Sequence, residues 1–277
     1  MAINLRRTNA RAPSLRKSVM KPLTRALIFA PLVLALASCG GKLGGHPYGI
    51  PTNFSDTKPI AWRGKVPAHY PVHGVDVSRY QGQIDWPRVA ASGVSFAQIK
   101  ATEGGDVADP AFEANWAGAA AAGIPRGAYH FYYFCRSGAE QALWFTQHVP
   151  QTGGALPPVL DIEWTNSRNC PVRPSPEVVR AEAASFLAIV GQHYGQQPLI
   201  YTTVDFFRQN EMWRLGAHQF WLRSVAGHPQ DTFDGHHWTF WQYTGTGLVH
   251  GIDGEVDLNA FAGAPEDWAA WLAAHRR

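Results

Sequence analysis

Two carboxylates, Asp161 and Glu163, stand two residues apart in the run Val159-Leu160-Asp161-Ile162-Glu163-Trp164, where every neighbour is apolar. In a β-strand, alternate residues share a face, so this pair projects side by side, roughly 6–7 Å apart. Two carboxyls that close repel, which favours one protonated and one ionised group. A proton donor beside an anion is what acid-assisted cleavage of a glycosidic bond requires. The alternative is an Asp-x-Glu on an exposed strand edge with no chemistry.

Two further acids occupy similar surroundings, Asp76 in Gly74-Val75-Asp76-Val77-Ser78 and Asp257 in Glu255-Val256-Asp257-Leu258-Asn259. If the three strands run the same way, Asp76, Asp161, Glu163 and Asp257 converge on one mouth of a barrel, where strand-end acids do chemistry. Taken singly, Asp76 or Asp257 could instead cap a turn.

The elements that must position these acids follow a βα rhythm. Strands are expected over 73–78, 94–101, 124–134, 156–164 and 198–203, with helices between them. Asp85 is placed as an N-cap and Gly93 as a terminator. Pro110 suits the first position of an Ala-rich helix that Gly123 ends, and Gly195 closes the longest helix, 176–194. The rhythm then changes: 219–225, 237–243 and 255–258 are strands with short, turn-rich connections. Eight strands with five well-formed helices define an irregular α/β barrel, and a last helix over 265–275, with Trp268, Trp271 and Leu272 at helical spacing, closes its bottom.

The chain has 277 residues, enough for one large barrel, and 45% apolar content supports a sizeable core. The formal charge of +3 comes from the first 38 residues, which hold seven Lys/Arg and no acid. The remainder has 17 Lys/Arg against 21 Asp/Glu, net −4, so no basic footprint for nucleic acid is present. Residues 1–38 read as a signal peptide whose true start could be Met20: basic residues through Arg25, then an apolar core over 26–36 too short to span a bilayer. Leu36-Ala37-Ser38-Cys39 resembles a bacterial lipobox, which implies cleavage before Cys39 and its acylation. Residues 39–71, rich in Gly and Pro, are expected to be a flexible tether with a reach of roughly 30 Å; the barrel then occupies 72–277. Cys135 and Cys170 are left as an even pair in an oxidising compartment, either bridged or, for Cys135, buried free in its aromatic run.

In order along the chain, His73-Gly74-Val75-Asp76-Val77-Ser78-Arg79-Tyr80-Gln81-Gly82, Gln98-Ile99-Lys100-Ala101-Thr102-Glu103, Ala128-Tyr129-His130-Phe131, Asp161-Ile162-Glu163, Trp241-Gln242-Tyr243 and Val256-Asp257-Leu258-Asn259 resemble glycoside hydrolase family 25. These are the Chalaropsis-type lysozymes, N-acetylmuramidases that cut peptidoglycan glycan. The resemblance implies an irregular TIM-like (β/α)5(β)3 barrel, Glu163 as proton donor, and Asp76, Asp161 and Asp257 as the other active-site acids. It also implies peptidoglycan as the partner; no cofactor or metal and a monomer are expected, and the signal peptide with Cys39 points to a lipid-anchored, exported protein of the bacterial cell envelope. His236-His237 does not alter that expectation, because adjacent strand residues face opposite ways. The segment Phe220-Trp221-Leu222-Arg223 departs from the family's pattern of a small residue after Trp-aliphatic, leaving Arg223 either at the mouth or on the exterior. Tyr129, Tyr132, Trp164, Tyr201, Trp241 and Tyr243, near strand ends, are candidates to stack on sugar rings, with Gln242 beside them; the competing role is core packing. His130 is expected to be a packing residue. Rival readings are a chitinase-like endo-N-acetylglucosaminidase, disfavoured by the Asp76 and Asp257 motifs, and a binding barrel that has lost catalysis, disfavoured by the presence of all four acids.

Overall fold

The computed structural model describes residues 49–276. The signal-peptide and Cys39 assignments lie outside the described residues. The chain enters through a short strand, β1 (Phe54–Asp56), and reaches β2 (His73–Val77). Five β–α steps follow: β2 and α1 (Trp86–Ala91), β3 (Phe96–Glu103) with its two-residue partner β4 (Val107–Ala108) and α2 (Phe112–Ala121), β5 (Arg126–Phe131) and α3 (Gly138–His148), β6 (Val159–Asp161) and α4 (Pro176–Tyr194), β7 (Leu199–Thr203) and α5 (Val204–Gln209). Then come β8 (Phe220–Arg223), the single turn α6 (Pro229–Thr232), β9 (Phe240–Val249), β10 (Val256–Phe261) and α7 (Pro265–His275).

Local chemistry sets these boundaries. Asp85 accepts the Arg88 amide at 3.2 Å and so caps α1. Ser137 and Glu140 form a capping box on α3. Gly195 ends α4 at φ 62°, the left-handed conformation that glycine adopts without a Cβ penalty. One expected boundary moves: α2 begins at Phe112, not at Pro110, because Asp109 takes the turn before it. Its carboxylate accepts the Ala111 amide at 2.9 Å and the Arg79 amide at 3.0 Å, which ties the loop after β2 to the start of α2.

Eight strands close into a barrel in the order β9-β10-β2-β3-β5-β6-β7-β8, with β8 pairing back to β9. Neighbours are parallel from β2 round to β9, whereas β10 is antiparallel to both β9 and β2. The condition that the three acid-bearing strands run alike therefore fails for Asp257. Convergence survives because Asp257 sits at the start of its reversed strand, directly opposite Asp76 in the register.

Strand alternation separates two apolar layers. Val75, Ile99, Ala128, Leu160, Ile200, Leu222 and Leu258 face outward against the helices. Phe96, Val159, Leu199, Phe240 and Phe261 face inward at the bottom, where Trp268, Trp271 and Leu272 of α7 pack against them. Ring centroids of Phe96 and Phe240 lie 4.9 Å apart and those of Trp268 and Trp271 5.4 Å apart. Burial of each such ring is worth roughly 1.5–3 kcal/mol relative to exposure. Gly127 is a close-approach glycine: a Cβ there would lie 2.3 Å from Oε1 of the inward-pointing Gln98.

The flexible-tether expectation fails for residues 49–71. β1 pairs antiparallel with the far end of β9, Phe54 opposite Val249, and Trp62 packs edge-on against Trp241 at 5.1 Å. Isolated large side chains, Phe54, Trp62 and Tyr70, anchor a stretch whose Gly/Pro content hides any periodicity. Cys135, just after β5, is joined in a disulfide to Cys170, in the loop after β6, with Cα atoms 5.7 Å apart and a sequence separation of 35. Loops of this size contribute about 3–4 kcal/mol in the chain-entropy account.

Candidate active site

The upper barrel interior is a cavity of about 280 Å³ that gathers Asp76, Asp161, Glu163 and Asp257 at one mouth. Each strand delivers a side chain there by alternation: Asp76 from β2, Lys100 from β3, Tyr129 from β5, Asp161 from β6, Tyr201 from β7 and Gln242 from β9. Glu163 lies just beyond β6, yet extended pairing continues past the strand, with the Ile162 amide donating to the Tyr201 carbonyl at 3.0 Å. The Asp161–Glu163 alternation is thus preserved, and both acids line one space. A larger hollow, about 1010 Å³, lies between α1, α2 and the turn after β9 and contains none of the four acids.

A buried chain of hydrogen bonds holds Asp76. The Tyr201 hydroxyl donates to Gln242 Oε1 at 2.9 Å, which leaves Gln242 Nε2 to donate to Asp76 Oδ2 at 2.9 Å. Symmetrically, Trp221 Nε1 donates to Asn259 Oδ1 at 2.7 Å, and Asn259 Nδ2 donates to the same Asp76 oxygen at 2.8 Å. Each amide is oriented by its outer partner, so Asp76 is fixed as an acceptor of two N–H groups.

Electrostatics separate the acids. Burial pushes Asp76 up to about 6, against the opposing effect of the Asn259 and Gln242 donors and of Arg223. Asp257 is pushed up to about 8 by burial first and by Asp76 second. Asp161 lies well above the carboxylate range through burial and the neighbouring Glu163, with Lys100 pulling the other way. Burial also raises Glu163, with Arg223 opposing and Asp76 adding. Four carboxyls in one low-dielectric space hold protons at pH values where a solvated acid has lost its own. One Asp161 oxygen, Oδ1, is buried and has no hydrogen-bond partner. A retained proton beside an acceptor with a free lone pair is an arrangement for general-acid chemistry on a ligand.

Of the expected sugar contacts, Tyr129, Tyr201 and Gln242 line the cavity. Four others do not. Trp241 and Tyr243 flank Gln242 on β9 and therefore face outward, where Trp241 Nε1 donates to the Ser224 carbonyl at 2.8 Å and the Tyr243 hydroxyl meets His73 Nδ1 at 3.1 Å. Tyr132 is buried in the outer layer beside Phe134, with ring centroids 5.1 Å apart. Trp164 lies between Phe206, at 4.7 Å, and the Arg173 guanidinium, at 4.5 Å, and Nε1 donates to Gln209 at 2.7 Å. His130 packs in the outer layer between Thr102 and Gln141.

Residues given no role in the sequence analysis also line the cavity, notably Tyr80, Lys100, Phe131 and Trp221, and of the two places open to Arg223 the structure shows the mouth. Lys100 bonds the Glu103 carboxylate and lies 4.8 Å from the Phe131 ring centre. The signal for Lys100 and Trp221 was phase: Lys100 is two residues from the inward Gln98, and Trp221 two from Arg223.

A closed α/β barrel that gathers four carboxyls at the strand ends, each raised by burial, is a glycosidase scaffold. The model for glycosyl hydrolases family 25 matches residues 75–252, and the chain belongs to that family; it is a glycoside hydrolase. Lysozyme M1 of Streptomyces globisporus is 38% identical over 201 residues, 70% of this chain and 68% of that protein. The structure of a family 25 glycosyl hydrolase from Bacillus anthracis superposes with TM-score 0.67 at 36% identity, covering 73% of this chain and 93% of the other. The bacterial lysozyme from Streptomyces coelicolor gives TM-score 0.65 at 38% identity, covering 74% and 96%.

Proposed function

We propose that this protein is a peptidoglycan hydrolase that cleaves the β-1,4 bond between N-acetylmuramic acid and N-acetylglucosamine, with Glu163 as general acid. The observation that carries the reading is the side-by-side placement of Asp161 and Glu163 in one cavity, both raised by burial. Glu163 is the more accessible of the two and meets the leaving oxygen. Asp161, with its unpartnered Oδ1, accepts the N–H of the substrate's 2-acetamido group, whose carbonyl oxygen attacks the anomeric carbon. Asp76 is held by Gln242 and Asn259, and with Asp257 it sets the charge of the cavity. Relatives named lysozyme support the substrate class.

Analysis of the sugar at the new reducing ends decides the bond. N-acetylmuramic acid at those ends is the expected product, and N-acetylglucosamine there would mean the opposite linkage is cut. The Leu36 to Cys39 sequence supports a lipid anchor that would hold the enzyme at the cell envelope. Substituting Cys39→Ala then moves it from the membrane to the soluble fraction, and retention in the membrane at unchanged mass would refute the anchor.

A further inference from the structure

Arg223 is the last residue of β8, with Thr203 of β7 on one side and Gln242 of β9 on the other. The strand's exit is fixed, since the Ser224 amide donates to the Gln242 carbonyl at 3.0 Å and the Ser224 hydroxyl to the Gly227 carbonyl at 2.6 Å. Arg223 therefore projects into the mouth, half-buried, beside the acids. Its charge is felt by Asp76, Glu163 and Asp257.

Even so, the Arg223 guanidinium makes no hydrogen bond or ion pair with any described residue. The other cation of the cavity, Lys100, is bonded to Glu103, and Arg136, Arg180, Arg208 and Arg214 each hold a carboxylate elsewhere. A guanidinium carries five N–H donors in a rigid fork, and a half-buried one left without an acceptor is poised for an acceptor that arrives with the ligand. The acceptor that matches the fork is a carboxylate, bound through two parallel N–H···O bonds. On the glycan of peptidoglycan, the group of that kind attached to the sugar is the 3-O-lactyl carboxylate of N-acetylmuramic acid. It is free where the stem peptide has been removed and is an uncharged amide where the peptide remains.

Resting on the muramidase reading, we propose that Arg223 is a specificity-determining residue that binds the free lactyl carboxylate and directs the enzyme to peptide-free glycan. The reaction class that supplies this substrate is hydrolysis of the amide between the lactyl group and the first amino acid of the stem peptide.

The test measures kcat/KM of the whole protein on three substrates: peptide-free strands, the same strands with lactyl carboxyls converted to methylamides, and intact peptidoglycan. A hydrogen bond to a charged group corresponds to about 10–100-fold. The wild type is expected to favour peptide-free strands over methylamides by that factor. Arg223→Ala brings the ratio close to one, because any effect through the acids is shared by both substrates whereas only the carboxylate substrate loses a partner, and Arg223→Lys, which keeps charge but not the fork, falls between. Equal wild-type rates on the first two substrates overturn the proposal and leave the muramidase reading intact. So does an Arg223→Ala loss equal on both with a displaced pH–rate profile, which would assign Arg223 to the acids. A preference for intact peptidoglycan over both would place the recognised carboxylate on the stem peptide and also overturn it. Failure of the wild type to cut any of the three refutes the muramidase reading and the proposal together. The wild-type ratio needs no variant, so an unstable substitution does not blunt the test.

Discussion

Replacing Glu163 with Gln is expected to lower turnover of peptidoglycan by about 10²–10⁴-fold, the usual contribution of a positioned general acid. The substitution keeps shape and hydrogen-bonding capacity and removes only the transferable proton. Unfolding is not a competing explanation. Burial raises the Glu163 carboxyl in the folded state, so the native form holds its proton more tightly than the unfolded chain, and its contribution to stability declines as pH rises from the unfolded value through the folded one. A neutral amide is free of that decline, so the variant melts no lower than the wild type at neutral pH. The same shift sets the alkaline limb of the rate profile. Activity falls as pH climbs through the raised Glu163 value. A Glu163→Gln enzyme within tenfold of wild type, with unchanged circular dichroism, would remove Glu163 from the donor role.

Peptidoglycan de-N-acetylated at its muramic residues is expected to be cut at least about 10²-fold more slowly than the acetylated polymer. The reason is the identity of the nucleophile. An acetamido oxygen already attached to the reacting sugar enjoys an effective molarity that reaches 10⁵–10⁸ M for well-oriented groups, and the proposed route loses that advantage once the acetyl group is gone. Asp161 then has no amide N–H to orient. The competing route is direct attack by an aspartate, which does not need the acetyl group. Near-normal turnover of the de-N-acetylated polymer, with a glycosyl ester trapped on Asp76 or Asp161, would establish that route instead.

Much of the architecture was legible in the sequence because β and α periods differ, and the short, turn-rich connections after 203 signalled the change of rhythm, although the six-residue α5 (Val204–Gln209) was too short to be read there. The four acids were legible because acids interrupt strands that are otherwise apolar. Direction was not: an alternating pattern reads the same both ways, so the reversal of β10 was invisible and Asp257 reached the mouth from the opposite sense. The misplaced aromatics were a matter of phase. Trp241, Gln242 and Tyr243 are consecutive, so a strand can present either Gln242 or its two neighbours to the interior, and the bond from Gln242 to Asp76 settles which. Aromatic character favours either environment, whereas an amide next to a buried acid does not. β1 was missed because three residues carry too little pattern, and its pairing partner lies almost two hundred positions away.

The aromatic floor described for the barrel makes the catalytic space a cup, not a tunnel. Phe96, Phe240 and Phe261, backed by Trp268, shut the lower end, so whatever enters by the rim must leave by it. A polymer cannot be threaded through and has to lie across the opening with only the sugars at the scissile bond dipping inward. Chain ends are then irrelevant to access. A glycan whose two ends are both held in a meshwork can be severed in its middle, which is the situation every cell wall presents.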